Sequence, residues 1–258
     1  MIDWRHWHNE PWLIGGLVLL GWLWAVLAGP WRPRLAPGTP FPRGHAVRFY
    51  LSLFVFYIAV GSPLDQIGER FLFSAHMLQH QLLIYPAAIL FLLGLPHWMI
   101  DPVLGGSLVQ KTLRLLTNPV VCAIVYALVI GVWHVPALYD LALRDKLVHV
   151  AEHIMFFLVA LLNWWPLLSP SRLLPRRSYA VQMLYLVGVV IAMTPAFAFI
   201  TFSQDILYPT YEFAPRLFAN FNAGDDQLLA GSMMKLVGMV VSLGAFTVIF
   251  YRWYQEKK

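Results

Sequence analysis

Seven apolar stretches divide this chain and leave it few ways to fold. They run over Trp12–Ala28, Ala46–Gly61, Phe71–Leu95, Pro119–Leu138, Leu147–Leu168, Tyr179–Phe202 and Gln227–Tyr251. A hydrocarbon layer about 30 Å thick takes about 20 such residues as a helix. It offers exposed peptide groups no partner, so only helices and closed barrels cross it. These stretches are long, and Pro, Gly and charge separate them, as in WRPRLAPGTPFPRG and LLSPSRLLPRR. The expected fold is therefore all-α: a polytopic membrane protein with a seven-transmembrane-helix bundle. Only 12% of the 258 residues are charged and 59% are hydrophobic, whereas a soluble domain carries about 25% charge. The opening MIDWRHWHNEPW lacks a basic start leading into a short apolar core and cleavage site, so the first stretch is expected to stay as a span. No soluble domain, convincing repeat or low-complexity tract interrupts residues 1–258, which read as a single integral membrane domain.

Lysine and arginine set the orientation. The first loop carries Arg32, Arg34, Arg43 and Arg48, the third Lys111 and Arg114, the fifth Arg172, Arg176 and Arg177, and the tail Arg252, Lys257 and Lys258. The alternate segments hold Arg5, Arg70, Arg144, Lys146 and Arg216, and are rich in acid: Asp65, Glu69, Asp140, Asp145, Asp205, Glu212, Asp225 and Asp226. The third and fourth loops tie, and every other comparison favours an outside N-terminus and a cytoplasmic C-terminus. The sequence pI near 9.4 therefore reflects topology and contact with the lipid bilayer, and no nucleic-acid partner is expected. The one cysteine, Cys122, belongs to no CxxC motif and reads as a small packed residue.

Histidines carry the chemistry. His76 and His80 in SAHMLQHQLL, and His149 and His153 in LVHVAEHIMFF, are two pairs at i, i+4. On a helix that spacing puts both rings on one face. An ionisable side chain inside an apolar span is a functional-site hypothesis by default. The expected orientation places both pairs near the outer face, together with His134 in GVWHVPALYD, so five histidines from three consecutive helices share one depth. Imidazole suits copper, zinc and iron, and thioethers favour Cu(I). Met77, Met155, Met233 and Met234 are possible sulfur donors. Glu152 can orient an imidazole from outside the ligand set, and Asp226, followed by Gln227 at the start of the last span, can do the same or act as an entry ligand. Too few thiolates exist for a Cys-rich structural zinc site.

Blander readings exist for the same residues. His134 alone can be an interhelical hydrogen bonder, each Met can be packing, and Glu152 can simply pair with His149. His6, His8, His45 and His97 sit at segment ends and read as interfacial or surface residues. Haem is the chemical competitor. Two haems across the bilayer would need histidines about four turns apart on one helix, whereas each pair here lies within one turn. A retinal-type Schiff base at Lys235 lacks an acidic counter-ion in the third span. A copper permease would need polar or Met sites continuing toward the cytoplasm, where the spans are nearly all apolar. No nucleophile–base pair or phosphate loop points to an enzyme.

The stretch SAHMLQHQLLIYPAAILFLLGLP closely resembles the signature of the multi-span CtaG family, assembly factors of caa3-type cytochrome c oxidase. GSPLDQIGERFLF, GVWHVPALYDLALRDKLVHVAEHIMFFLVALLNWWPL and DDQLLAGSMMK fit the same family in order and spacing, covering roughly residues 60–240. Lys235 departs from the pattern, standing where an apolar or aromatic residue is expected. The resemblance implies a protein of the bacterial plasma (inner) membrane that helps mature a haem-copper oxidase subunit. It further implies supply of copper to the binuclear centre, with outer-face copper chaperones as possible partners. The matching positions are His76, Met77, His80, His134, His149 and His153, with Asp226 and Gln227 on the last helix.

Overall fold

The computed structural model describes residues 3–5 and 7–258, so the interfacial role expected of His6 lies outside the described residues. Among the described residues the chain is helical throughout, without a strand. Besides two four-residue helical turns, Arg32–Leu35 and Pro209–Glu212, the helices are α1 (Pro11–Ala28), α2 (Arg43–Gly61), α3 (Pro63–Arg70), α4 (Phe73–Leu93), α5 (His97–Leu104), α6 (Ser107–Leu116), α7 (Pro119–Trp133), α8 (Pro136–Arg144), α9 (Lys146–Leu168), α10 (Tyr179–Phe202) and α11 (Ala223–Glu256). Six of them, α1, α2, α4, α9, α10 and α11, are long and apolar enough to cross a membrane. This is a helical membrane protein.

The stretch expected as one span over Pro119–Leu138 is broken instead. Pro136 disfavours the helical region for the residue before it, and Val135 is extended at φ −65°, ψ 127°. α7 therefore stops at Trp133, His134 caps it, and α8 starts afresh. Its 15 residues extend about 22 Å, less than a bilayer core. Together with α6 it makes a pair bent by 70° that is long and apolar enough to cross. Among the described residues the structure thus has six unbroken helices long and apolar enough to cross and one bent pair, where seven simple spans were expected.

α4 is the axis of the bundle. It packs against α2, α3, α9 and α11, and 61% of its apolar window is buried, against 22% for α1 and α2. Pro86 removes a backbone donor, and α4 passes it through a π-type turn over Leu83–Ala87. The main core, including Phe73, Met77, Ile84, Tyr126, Phe156 and Trp164, surrounds it. A smaller cluster of Trp24, Ala28, Phe49 and Met99 joins α1 and α2 to this bundle.

Three consecutive acids and amides at the start of α11 fix the end where the histidines lie. Asp225 completes a capping box with Asn222 on α11 itself. Asp226 caps a different helix. α4 has no side-chain cap of its own, and the Asp226 carboxylate accepts from Phe73 N–H at 2.6 Å and Ser74 N–H at 3.0 Å. Gln227 accepts from Leu207 N–H and donates to the Asp205 carbonyl, pinning the loop that carries Tyr208 and Tyr211. On the other side of α4, Gly68 lets α3 lie flush: a Cβ there would meet His76 Cα at 3.0 Å and the Gln79 side chain closer still. Elsewhere, Lys235 donates to the Val190 carbonyl and to Thr194 Oγ1, at the interruption before Pro195. Cys122 is packed, as expected, donating to the Leu116 carbonyl.

Candidate metal centre

α4 carries His76 and His80, and α9 carries His149, Glu152 and His153; all five side chains are buried where the helices face each other. Asp145 opens α9 by accepting from Leu147 and Val148 N–H, which sets the register of the second pair. The rings touch. His76 and His80 have centroids 4.5 Å apart, His149 and His153 4.3 Å, and across the helices His76 lies 5.1 Å from His149 while His80 lies 5.3 Å from His153. His134 reaches the group from the end of α7, with its ring 5.8 Å from that of His80.

The hydrogen bonds assign which ring nitrogen is free to act as a donor of electrons. Tyr211 uses its one hydroxyl hydrogen on the Gly68 carbonyl at 2.7 Å. Its oxygen must then accept from Tyr139 and from His76 Nδ1–H, each at 3.1 Å. His149 Nδ1–H donates to Glu69 at 2.6 Å, and His134 Nδ1–H donates to the Ile130 carbonyl at 2.7 Å. In all three rings Nε2 therefore carries the lone pair. A carboxylate holding the far nitrogen of a histidine is the usual support of a metal-binding imidazole.

The inward-facing atoms have no partner. His76 Nε2, both nitrogens of His80, His149 Nε2, His153 Nε2 and both oxygens of Glu152 are buried without a hydrogen bond. Glu152 stands 3.9 Å from His76 Nε2 and 3.8 Å from His80 Nε2, too far for a direct bond. Buried polar atoms are nearly always paired, and each one left unpaired costs about 1–3 kcal/mol. Ligand atoms of His76, His149, Glu152 and His153 all lie within 4.8 Å of one another, a set that fits one cation. Beside it His134 Nε2 faces Met77 Sδ at 3.4 Å. Once Nδ1 holds the proton this pair has no hydrogen to share, so two electron-pair donors confront each other as a soft cation would want them.

The family of cytochrome c oxidase caa3 assembly factors matches residues 22–256. The chain belongs to this family. No curated protein and no solved structure matches it significantly. The matched region contains every residue of the histidine cluster, and membership ties the protein to the assembly of cytochrome c oxidase.

The other expected site residues of this assembly factor are distributed unevenly. Met77 is at the cluster, and Glu152 is nearer its centre than the outer orienting role expected of it. Asp226 and Gln227 spend their polar atoms on backbone groups and hold the scaffold. Met234 and Met233 belong to the apolar core, and Met155 points outward, 39% exposed. His8, expected at the surface, is drawn in against Asp65 at 3.0 Å; that hydrogen bond, strongest among its neighbours, raises its pKa to about 9. Sequence reasoning missed Glu69, Asp65 and Tyr211 as parts of this site. The only sequence signal for Asp65 and Glu69 was an acidic GSPLDQIGER segment lying next to the first histidine pair, and Tyr211 had none.

Proposed function

We propose that this assembly factor binds copper at the histidine cluster and aids its insertion into the binuclear centre of the oxidase. One observation carries the reading: ligand atoms of His76, His149, Glu152 and His153 lie within 4.8 Å of one another, buried and without hydrogen-bond partners, with His80 beside them. Imidazole nitrogens and a carboxylate bind copper as Cu²⁺ and the nearby thioether adds a soft donor, and a surplus of donors allows one ligand to be exchanged for another as the ion leaves. The distribution of Lys and Arg supports a bundle of seven spans, the bent α6–α7 unit included, with the N-terminus outside and the C-terminus in the cytoplasm of a bacterium. The cluster would then lie within the outer half of the inner membrane. From there a copper ion can pass sideways to an oxidase subunit without crossing bare hydrocarbon as a charge. Outer-face copper chaperones are the expected source. The protein acts as a metallochaperone and not as an enzyme.

Haem is the weaker reading because the rings contact one another, which favours a single ion over a macrocycle needing a slot between them. A permease is disfavoured because, among the described residues, both groups of His and carboxylate side chains that could hold a metal lie at the histidine end and none continues beyond it. The test is the metal content of the oxidase. Cells making the His76→Ala, His80→Ala double variant should yield oxidase that keeps its haem but lacks copper at the binuclear centre. Fully coppered oxidase from those cells would defeat the proposal.

A further inference from the structure

A cavity of about 260 Å³ opens beside the cluster, between the segment before α1, helix α3 and the start of α9. Its walls include His8, Glu10, Asp65, Glu69, His149 and His153. Three of these, Asp65, Glu69 and His149, offer ligand atoms within 4.8 Å of one another. Independently, His153 is 95% buried (5% exposed), lines the same cavity, and has no partner for Nε2. The two donor groups share a residue. His149 turns Nδ1 toward Glu69 and leaves Nε2 unpaired among the buried donors.

We propose that this cavity is the port by which the copper ion reaches the buried site, and that Asp65 and Glu69 hold it on the way in before His149 takes it over through Nε2. The inference rests on the copper reading above. Carboxylate oxygens suit an ion still carrying water, and imidazoles suit one that has shed it. Each step exchanges one ligand for another: water for a carboxylate at Asp65 and Glu69, then carboxylate for imidazole as the ion passes the His149 ring to His76 and His153. No electron changes hands. Asp65 is held ready by Gln79, which donates to it at 2.7 Å, and His8 lies on its other oxygen at 3.0 Å. The rim carries Arg144 and Lys146, but these side chains are 72% and 60% exposed, where water and salt screen them, and Lys146 is paired with Glu10. The stretch before α1 covers one side of the mouth, tied down by His8 N–H to the Gly61 carbonyl at 2.8 Å and Tyr57 to Asn9 at 2.9 Å.

The experiment is stopped-flow loading of the full-length protein in detergent with Cu²⁺, read by quenching of intrinsic fluorescence, with bound copper counted after gel filtration. The Asp65→Asn, Glu69→Gln variant should load at least tenfold more slowly than wild type while the buried cluster still fills. Folding is kept out of the result by a second variant, Arg144→Cys, plugged after purification with a bulky methanethiosulfonate, its unplugged control capped with small methyl methanethiosulfonate so that no free thiol meets the copper; Cys122 is buried and stays unlabelled. The plugged protein should load slowly and the unplugged one like wild type. Equal rates in both comparisons would overturn the port and leave the copper site standing. Failure of wild type to bind Cu²⁺ at all would overturn both.

Discussion

The same two helices, α4 and α9, treat buried polar groups in opposite ways along their length. Around Pro86 each has a partner: Trp164 Nε1–H donates to the Ile84 carbonyl at 3.0 Å, Ser52 to the Ala87 carbonyl at 2.8 Å, and Tyr185 to Asn163 Oδ1 at 2.7 Å. About two to four turns away, at the histidine level, seven buried polar atoms have none. Burial is equal in the two regions, so burial does not explain the difference. The first region uses polarity to fix the fold. The second leaves stability unmade, as sites for ligands commonly do.

The sharpest way to break this contrast is to remove ligands. The His76→Ala, His80→Ala variant should lose copper affinity by more than the roughly 100-fold that follows loss of an outer supporting residue, as measured by competition with a chelator. Tyr211→Phe should cost less, about 10- to 100-fold, because His76 loses the acceptor that holds its Nδ1 proton; an unchanged affinity would remove Tyr211 from the site. Stability should move the opposite way in the two regions. Glu152→Leu removes two unpaired oxygens and should raise the stability of the metal-free protein by about 1–3 kcal/mol, whereas Ser52→Ala, which takes the hydroxyl donor from the Ala87 carbonyl, should lower it by about 0.5–1.5 kcal/mol, both read from denaturation in detergent. Asp226→Ala should also destabilise by about 1–3 kcal/mol, since two N–H groups of α4 lose their acceptor, with copper affinity retained.

The smallest effect concerns the cover of the port. His8 has its pKa raised to about 9, so the stability it adds is complete below its ordinary value near 6.5 and is lost as pH rises through about 9. The contribution of a part-exposed pair is about 1 kcal/mol. Thermal midpoints of wild type and His8→Ala should therefore differ at neutral pH and converge at alkaline pH. A difference that persists unchanged would contradict the assignment.

The features legible in the sequence were those that depend on one helix at a time. Spacing at i, i+4 put His76 with His80 and His149 with His153, and apolar length marked the spans. The break at His134 was also visible, since Val135 precedes Pro136, but the apolar run over Pro119–Leu138 outweighed it. Asp226 was not legible as a cap, because the helix it caps lies 153 residues earlier. Glu69 and Asp65 read as a solvated acidic loop; only the close approach of α3 at Gly68 brings them to the histidines. Tyr211 belongs to a loop whose course is set by Gln227, through bonds that sequence spacing does not encode.

The central claim is that the unpaired donors at the histidine level exist to hold copper. Metal analysis and the absorption spectrum of the purified full-length protein, wild type beside His76→Ala, His80→Ala, test it most directly. The account predicts stoichiometric copper in the wild type after loading, its loss in the variant, and no Soret band in either. Stoichiometric haem, or copper retained by the variant, would contradict it.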